Sequence, residues 1–390
     1  MKLGIDGWRL RTRAGIARVL FNVIRNWTEE FVQGRFDEIT LYTPVPLDDD
    51  LALPPFVQQR VLGPDMRMLL WQNLVLGRSI RDDVLLCPSY SRPLHTRANT
   101  VSIIHEATQK LYPQYYPFLA RFIQTPLYGW SARHATRVVT PTCQAKEDII
   151  RAYHAPRDRI RVVPLAASEM FHSHYPQQRL KDVRLQYAGD DVPFFLYVGT
   201  LTARRNVPRL VQALATMLNV KDSLHRLVIV GRNSTDLDLG GLASSLGIEE
   251  RVRYHPFVPD EDLAPLYSAA EAFVLPYSYE ALSLTMLESQ AAGTPVITVG
   301  APGLREMAGE AGLFIPDVEV ITLASAMSRV ADDSALRADL TRQGRANAAQ
   351  YSWQRCASEI LNVCNEAAKA EGVARTNRPV LGADNGVIGK

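Results

Sequence analysis

Short apolar, β-branched runs alternate with longer stretches of helical periodicity twice along this chain, and that alternation restricts the fold more than any other feature. Strands covered on both faces read as continuous apolar runs, and parallel neighbours need a crossover, usually a helix. In the first series the runs are KLGID (2–6), EITLY (38–42), DVLLC (83–87), TVSII (100–104) and TRVVT (136–140), closed by IRVVP (160–164). Helical segments fall at about 66–80, 115–134 and 142–154, and residues 15–27 repeat apolar side chains at Ile16, Leu20, Val23, Ile24 and Trp27. A polar stretch without periodicity, HSHYPQQRLKDVRLQYAGDD, then interrupts the pattern. The second series is VPFFLYVG (192–199), RLVIVG (226–231), RVRYHPFV (251–258), EAFVLP (271–276) and TPVITV (294–299), with a helix at about 206–218. The fold class is therefore α/β: two doubly wound parallel-sheet domains facing a cleft. The expected boundaries are 1–168 for the first domain, 169–191 for a linker, 192–348 for the second domain and 349–371 for a last helix. A Gly/Asn/Pro-rich stretch, 372–390, is expected as a disordered tail.

Composition fits that frame. Of 390 residues, 47% are hydrophobic and 22% charged, which excludes a disordered or fibrous chain. No run approaches the roughly 18–20 apolar residues of a membrane helix, and MKLGIDGWRLRTRAG lacks a signal-peptide core. Four cysteines without a C-x-x-C pair imply a reducing, cytoplasmic compartment. The net charge of +2 is uneven: residues 1–190 carry 25 Lys and Arg against 18 Asp and Glu, whereas 191–390 carry 18 against 23. A basic first half suits an anionic partner, although scattered surface charge gives the same asymmetry. Basic residues form no blocks, so nucleic acid is not expected as a partner.

Doubly wound sheets bind ligands at the carboxyl ends of their strands. The densest such segment is Tyr277–Val296, YSYEALSLTMLESQAAGTPV: a strand ends, small residues follow, and a helix begins near Ser283. The first N–H groups of a helix are unpaired and partly positive, which makes an anion site. Glu280 stands before that end and Glu288 about two turns beyond it. Two carboxylates beside an anion site suit a ligand with phosphates and polyhydroxylated groups. A capped amphipathic helix with two solvated glutamates has the same spacing.

The same segment carries a family resemblance. It resembles the E-x7-E signature of the retaining glycosyltransferases of family 4 (group 1), which adopt the GT-B fold of two Rossmann-like domains. Tyr197-Val-Gly-Thr-Leu-Thr-Ala-Arg-Arg-Asn206 is similar to the family's Y-V-G-x-L-x-x-R-K-N, and Val228-Ile-Val-Gly-Arg232 to its next strand and glycine turn. His105-Glu106 resembles its strand-end His-Asp, Gly15-Ile-Ala-Arg18 its amino-terminal G-I-G-R loop, and Tyr351-Ser-Trp353 the start of its final helix. The likeness spans about residues 1–370, and it implies that the last helix returns to the first domain.

The resemblance implies a hexosyltransferase that binds a nucleotide diphosphate sugar. His105 and Glu280 are the implied catalytic residues. Gly15, Gly199, Thr200, Arg204, Arg205, Gly231, Arg232, Ala281, Leu282, Ser283, Leu284 and Glu288 are the implied donor-binding set. Glu288 would accept from ribose hydroxyls, Glu280 would meet the donor sugar, and Arg204, Arg205 and the helix end near Ser283 would stand in for a metal. No cofactor or metal is expected. The one D-x-D, Asp236-Leu-Asp238, reads better as a helix cap, and His172 with His174 reads as solvated. The stretches IDGWRL, IHE and YPQYYP look most like mannosyltransferases of polysaccharide, O-antigen and lipopolysaccharide assembly, which favours GDP-mannose over UDP-sugars. A growing glycan or lipid-linked saccharide is the implied acceptor.

The aromatic segment 110–133, with Arg121 and Arg133, suits either packing into its own domain or peripheral contact with an anionic membrane at its inner face. Four positions depart from the family pattern: Arg205 replaces the lysine of R-K-N, and Ala17, Ala281 and Ser283 replace glycines. That leaves two other readings open, a catalytically silent partner subunit and a GT-B nucleotide-sugar epimerase.

Overall fold

A computed structural model describes residues 1–12, 15–48 and 51–370. The expectation for 372–390 lies outside the described residues. Seven parallel strands form the first sheet: β1 (Lys2–Asp6), β2 (Glu38–Thr43), β3 (Val57–Val61), β4 (Val84–Cys87), β5 (Asn99–Ile103), β6 (Arg137–Thr140) and β7 (Ile160–Val162), in the order β3-β2-β1-β4-β5-β6-β7. Six form the second: β8 (Phe194–Val198), β9 (Arg226–Val230), β10 (Val252–His255), β11 (Ala272–Leu275), β12 (Val296–Val299) and β13 (Leu313–Ile315), in the order β10-β9-β8-β11-β12-β13. Every pairing is parallel, for example Ile5 with Leu41 and Val274 with Ile297.

The apolar runs became the central strands because such strands are buried on both faces. β4 and β11 are wholly buried. β3 and β13 had no such run. The first is VQQRV, mostly exposed, and the second has only three residues at a sheet edge, so neither carried the pattern of a covered strand. In each sheet the strand order reverses next to the first strand, between β1 and β4 and between β8 and β11. These two switch points face each other, and the loops leaving them line one cleft.

The segment 169–191, expected as a linker, is folded. A short 3-10 turn (Glu169–His172), a helix (Gln177–Val183) and a π turn (Arg184–Ala188) bury Phe171, Val183, Tyr187 and Ala188 in the second core. Phe171 packs edge-on against Tyr267, with ring centroids 5.5 Å apart. Mixed helix types broke the single 3.6-residue period, and the apolar positions hid among polar ones.

The last helix, Trp353–Lys369, packs on the first sheet: Trp353, Ile360, Leu361 and Cys364 join its core, and the Trp27 indole donates to the Ala357 carbonyl at 3.0 Å. Further bonds tie the domains together. The Glu306 carboxylate accepts from the N–H of Cys143 at 2.6 Å and of Gln144 at 2.9 Å, capping the Cys143–Tyr153 helix from the other domain. The Thr142 hydroxyl donates to the Ala281 carbonyl at 3.0 Å, and the Tyr279 hydroxyl donates to Asp148. Among the described residues no helix is long and apolar enough to cross a membrane.

Candidate active site

The cleft between the switch points holds about 380 Å3. From the first domain come Gly15, Arg18, Tyr90, His105 and Glu106. The second contributes Gly199, Thr200, Arg204, Arg205, Tyr277 and Glu280, then Leu282 to Thr285 and Glu288. Of the fourteen residues expected from sequence, Gly231, Arg232 and Ala281 do not line it.

Each of those three has a different place. Gly231, at φ +135°, sits so close to Gly199 that a β-carbon would meet the Gly199 carbonyl; its glycine serves backbone packing. Arg232 is exposed outside the cleft lining. Ala281 is buried against Ala145 of the first domain and Tyr279, in the seam between domains.

The turn after β8 places the two arginines differently. Ala203–Arg205 is one 3-10 turn, and Asn206 follows in the left-handed region at φ +48°, where Asn is tolerated. Its Nδ2 donates to the Pro276 carbonyl and to the Ser278 hydroxyl, both at 2.8 Å, fixing the turn against the loop after β11. Arg204 is paired with the Glu280 carboxylate, donates to the Tyr279 carbonyl at 3.1 Å, and lies 3.8 Å from Glu106. Burial works against its charge, but the two carboxylates outweigh it and hold the guanidinium protonated.

Arg205 has no carboxylate partner. Its guanidinium lies over the Tyr277 ring at 4.8 Å, Nη1 donates to the Thr200 carbonyl at 3.1 Å, and Nε is buried without a partner. The backbone of Gly199 comes so near that a β-carbon there would sit 2.5 Å from Nη1 and 2.9 Å from the Tyr277 hydroxyl. Arg204 is therefore spent on holding Glu280, whereas Arg205 keeps a free donor for an anion.

The Leu284–Ala292 helix begins where Ser283 caps it, its hydroxyl accepting from the Met286 N–H at 3.3 Å, and ends at Gly293 with φ +83°. Its first-turn residues line the cleft beside Arg205. About one turn in, Glu288 is buried and accepts from Arg18 Nη2 at 2.9 Å and from the Tyr267 hydroxyl at 3.3 Å. Leu282 and Leu284 pack against the first-domain core, so the loop is held from both sides.

His105 follows β5. Burial pushes its pKa down to about 4, so the ring is neutral near pH 7. Neither ring nitrogen meets hydrogen-bond geometry with a described residue, although the Pro88 backbone lies near enough to favour the protonated ring, and Tyr90 packs edge-on against it at 5.6 Å. A buried neutral imidazole without a well-aligned partner, lining a polar cleft, is suited to a ligand hydroxyl. Burial raises the Glu106 carboxyl as well.

Tyr90, Glu106, Arg18 and Tyr277 were not among the expected site residues. Arg18 and Glu106 stood inside quoted motifs, and their adjacency to named residues was the available signal. Tyr277 opened the quoted segment Tyr277–Val296, and Tyr90, at φ +65°, carries no such signal. The D-x-D acts as expected of a cap: Asp238 accepts from the Gly241 N–H at 2.9 Å. Among the described residues no group of three or more His, Cys, Asp or Glu is placed to hold a metal ion.

The lost glycines are accommodated. Ala17 lies inside the Gly15–Arg25 helix, Ser283 has φ −132°, and Ala281 is not in the left-handed region. None of the three needs the freedom that only glycine provides.

Two facing doubly wound sheets with their switch points on one cleft define a GT-B protein. Residues 183–347 match the family model described as glycosyl transferases group 1, so the chain carries a group 1 glycosyltransferase domain. It is 29% identical to O-antigen chain mannosyltransferase B of Escherichia coli over 290 residues, 73% of this chain and 74% of the relative. To D-inositol 3-phosphate glycosyltransferase of Acidothermus cellulolyticus it is 32% identical over 255 residues, 63% of this chain and 56% of that one. In fold it is similar to WaaG, a glycosyltransferase involved in lipopolysaccharide biosynthesis (TM-score 0.70, 17% identity, 93% of this chain and 99% of that). HepE of Anabaena, solved with UDP and glucose, is similar too (TM-score 0.72, 16% identity, 93% and 98%).

Proposed function

We propose that the chain moves a hexose, with retention and without a metal, from a nucleotide diphosphate sugar to a growing glycan or lipid-linked saccharide. One observation carries the reading: buried Arg205, its Nε unspent, stands beside the Arg204–Glu280 pair at a helix amino terminus, with neutral His105 in the same cleft. Charge grows on the departing diphosphate, and Arg205 with the first-turn N–H groups meets it. Glu280, held in place by Arg204, accepts from donor hydroxyls and steadies positive charge at the anomeric carbon. His105 bonds a sugar hydroxyl. Glu288 takes the ribose hydroxyls, sharing its carboxylate with Arg18 or releasing it. The leaving phosphate oxygen accepts the acceptor's proton, which keeps the new bond on the old face. GDP-mannose is favoured over UDP-sugars because the relative with the longest overlap described above is named a mannosyltransferase.

The reaction is placed in the cytoplasm, with peripheral contact at the inner face of an anionic membrane. The Phe118–His134 helix supports this contact. Its last turns pack into the domain through Tyr128 and Ala132, whereas Phe118, Leu119, Phe122 and Ile123 are more than half exposed.

A panel of GDP- and UDP-sugars, incubated with the protein and a saccharide acceptor with and without chelator, tests the proposal. Chelator-resistant release of nucleoside diphosphate from one donor, with an α-linked product from an α-linked donor, is expected. Nucleotide-sugar binding without release, acceptor present, assigns the chain to a silent partner. Free altered sugar assigns it to an epimerase.

A further inference from the structure

Outside the cleft, a second cavity of about 520 Å3 opens at the amino ends of β5 and β6. Asn99 and Thr100 begin β5 at its wall, so the length of a strand, about 16 Å, separates it from His105 at the other end. Arg78, Arg81, Arg92 and Arg97 surround it, His95 and His134 stand between them, and among the described residues no Asp or Glu lines it. None of the four arginines forms an ion pair with a described residue. That is unlike Arg18, Arg157 and Arg204, each of which has a carboxylate. Four like charges around one concavity repel one another and focus a positive potential into it.

Arg92 is the built element. Its guanidinium lies over the Trp130 ring at 4.6 Å, and Nη1 donates to the His134 carbonyl at 2.8 Å. Its backbone N–H donates to the Ser131 hydroxyl at 3.0 Å. Nε is buried and has no partner. A guanidinium held by a ring face and a carbonyl, with a donor left over and no carboxylate of a described residue paired with it, is a fork awaiting an anion. Arg78, Arg81 and Arg97 are exposed, and Arg81 reaches the carbonyls of Arg78 and Ile80, both at 2.8 Å.

We propose that this cavity is a second anion site, binding a diphosphate or another phosphate-bearing group, with Arg92 as its fixed fork and Arg78, Arg81 and Arg97 as its mobile rim. Several arginines select phosphate over a single carboxylate, and the volume leaves room for the group that carries the phosphate. The phosphate arrives free or as a lipid head group. Trp130 and His134 share a helix line with exposed Leu119 and Ile123 about three turns back, so a head group seated here would lie beside an apolar surface. The inference does not rest on the reading of the cleft.

Calorimetric titration of the full chain with inorganic pyrophosphate tests it, in an Arg205→Gln background so that the cleft does not dominate. Adding Arg78→Gln and Arg97→Gln should weaken the remaining binding about tenfold or more. Neither side chain has a hydrogen bond to a described residue, and the Arg78 carbonyl keeps its bond from Arg81, so folding is unaffected. Removing two charges from the second domain instead, Arg329→Gln with Arg342→Gln, should leave the binding in place. Equal weakening by both pairs, or by neither, overturns the site. Sedimentation with vesicles of equal parts phosphatidylcholine and phosphatidylglycerol identifies the source. A parallel tenfold loss in the Arg78/Arg97 variant marks a lipid head group, and vesicle binding unchanged beside lost pyrophosphate binding marks a soluble phosphate.

Discussion

Arg18 of the first domain donates to Glu288 of the second at 2.9 Å, across the cleft both domains build. The carboxylate is 4% exposed and the guanidinium 34%. The carboxylate proposed for the nucleotide's ribose is thus already held by the opposite domain, so in that proposal ligand binding and domain contact would share it.

A double-mutant cycle measures that link. Arg18→Ala leaves Glu288 with only Tyr267, and because Arg18 is partly solvated the cost should fall below that of a fully buried pair, at about 1–3 kcal/mol. Glu288→Gln should recover part of it. Urea unfolding of both singles and the double reads the coupling, and a coupling under about 0.5 kcal/mol would make the pair incidental.

The two neighbouring arginines should part company. Arg204→Ala leaves Glu280 and Glu106 as buried carboxylates without their cation, so it should cost about 3 kcal/mol of stability or more. Arg205→Ala should leave stability closer to wild type and weaken nucleoside diphosphate far more than nucleoside. Thermal unfolding and paired titrations check both, and an unchanged diphosphate-to-nucleoside ratio in Arg205→Ala removes that residue from the diphosphate site.

His105 predicts a pH effect of definite sign. Its pKa is lowered from 6.5 to about 4 on folding, so below pH 6.5 the unfolded chain binds a proton the folded chain refuses. Its contribution is therefore fully present above pH 6.5 and is lost as pH falls toward 4, at up to about 1.4 kcal/mol per pH unit. In His105→Asn the stability curve should be flatter across that window; two superimposable curves would contradict the burial of a neutral ring.

Restoring a family glycine should do harm. Ala281→Gly opens a gap between Ala281, Ala145 and Tyr279 without relieving any strain, so about 1 kcal/mol of stability is lost and turnover does not rise. A severalfold gain in donor turnover would show that the alanine suppresses activity.

Glu306 spans the domains. Its replacement by Ala uncovers the N–H groups of Cys143 and Gln144 at a helix start. Amide exchange at those two positions should quicken about tenfold or more, with little change at β6.

The central strands were legible because burial on both faces demands continuous apolar runs, and the sequence shows them at β1, β4, β5, β8, β9, β11 and β12. Two of the four edge strands, β3 and β13, were not, since β3 is exposed along four of its five residues and β13 is too short to carry a pattern. Residues 169–191 misled for a related reason: three helix types in succession leave no constant period. At the site, Glu280, Glu288, Arg204 and Arg205 could be named from motif spacing. That Arg204 is neutralised while Arg205 is not could not, because the difference depends on which carboxylate lies within reach.

By itself the sequence determined what is local and periodic: the parallel α/β class, the division into two sheets, the helix caps at Ser283 and Asp238, and the motifs that gather at strand ends. Only the tertiary structure decided which of those residues share a cavity. Gly231 and Ala281 fell outside the cleft and into packing, Arg18 and Tyr90 entered the cleft, and four arginines from two neighbouring stretches, 78–81 and 92–97, gathered at the far end of the first sheet. Spacing along a chain fixes which side chains share a strand or helix. Which charges meet, and which are left without a partner, follows from distances between elements that no local pattern encodes.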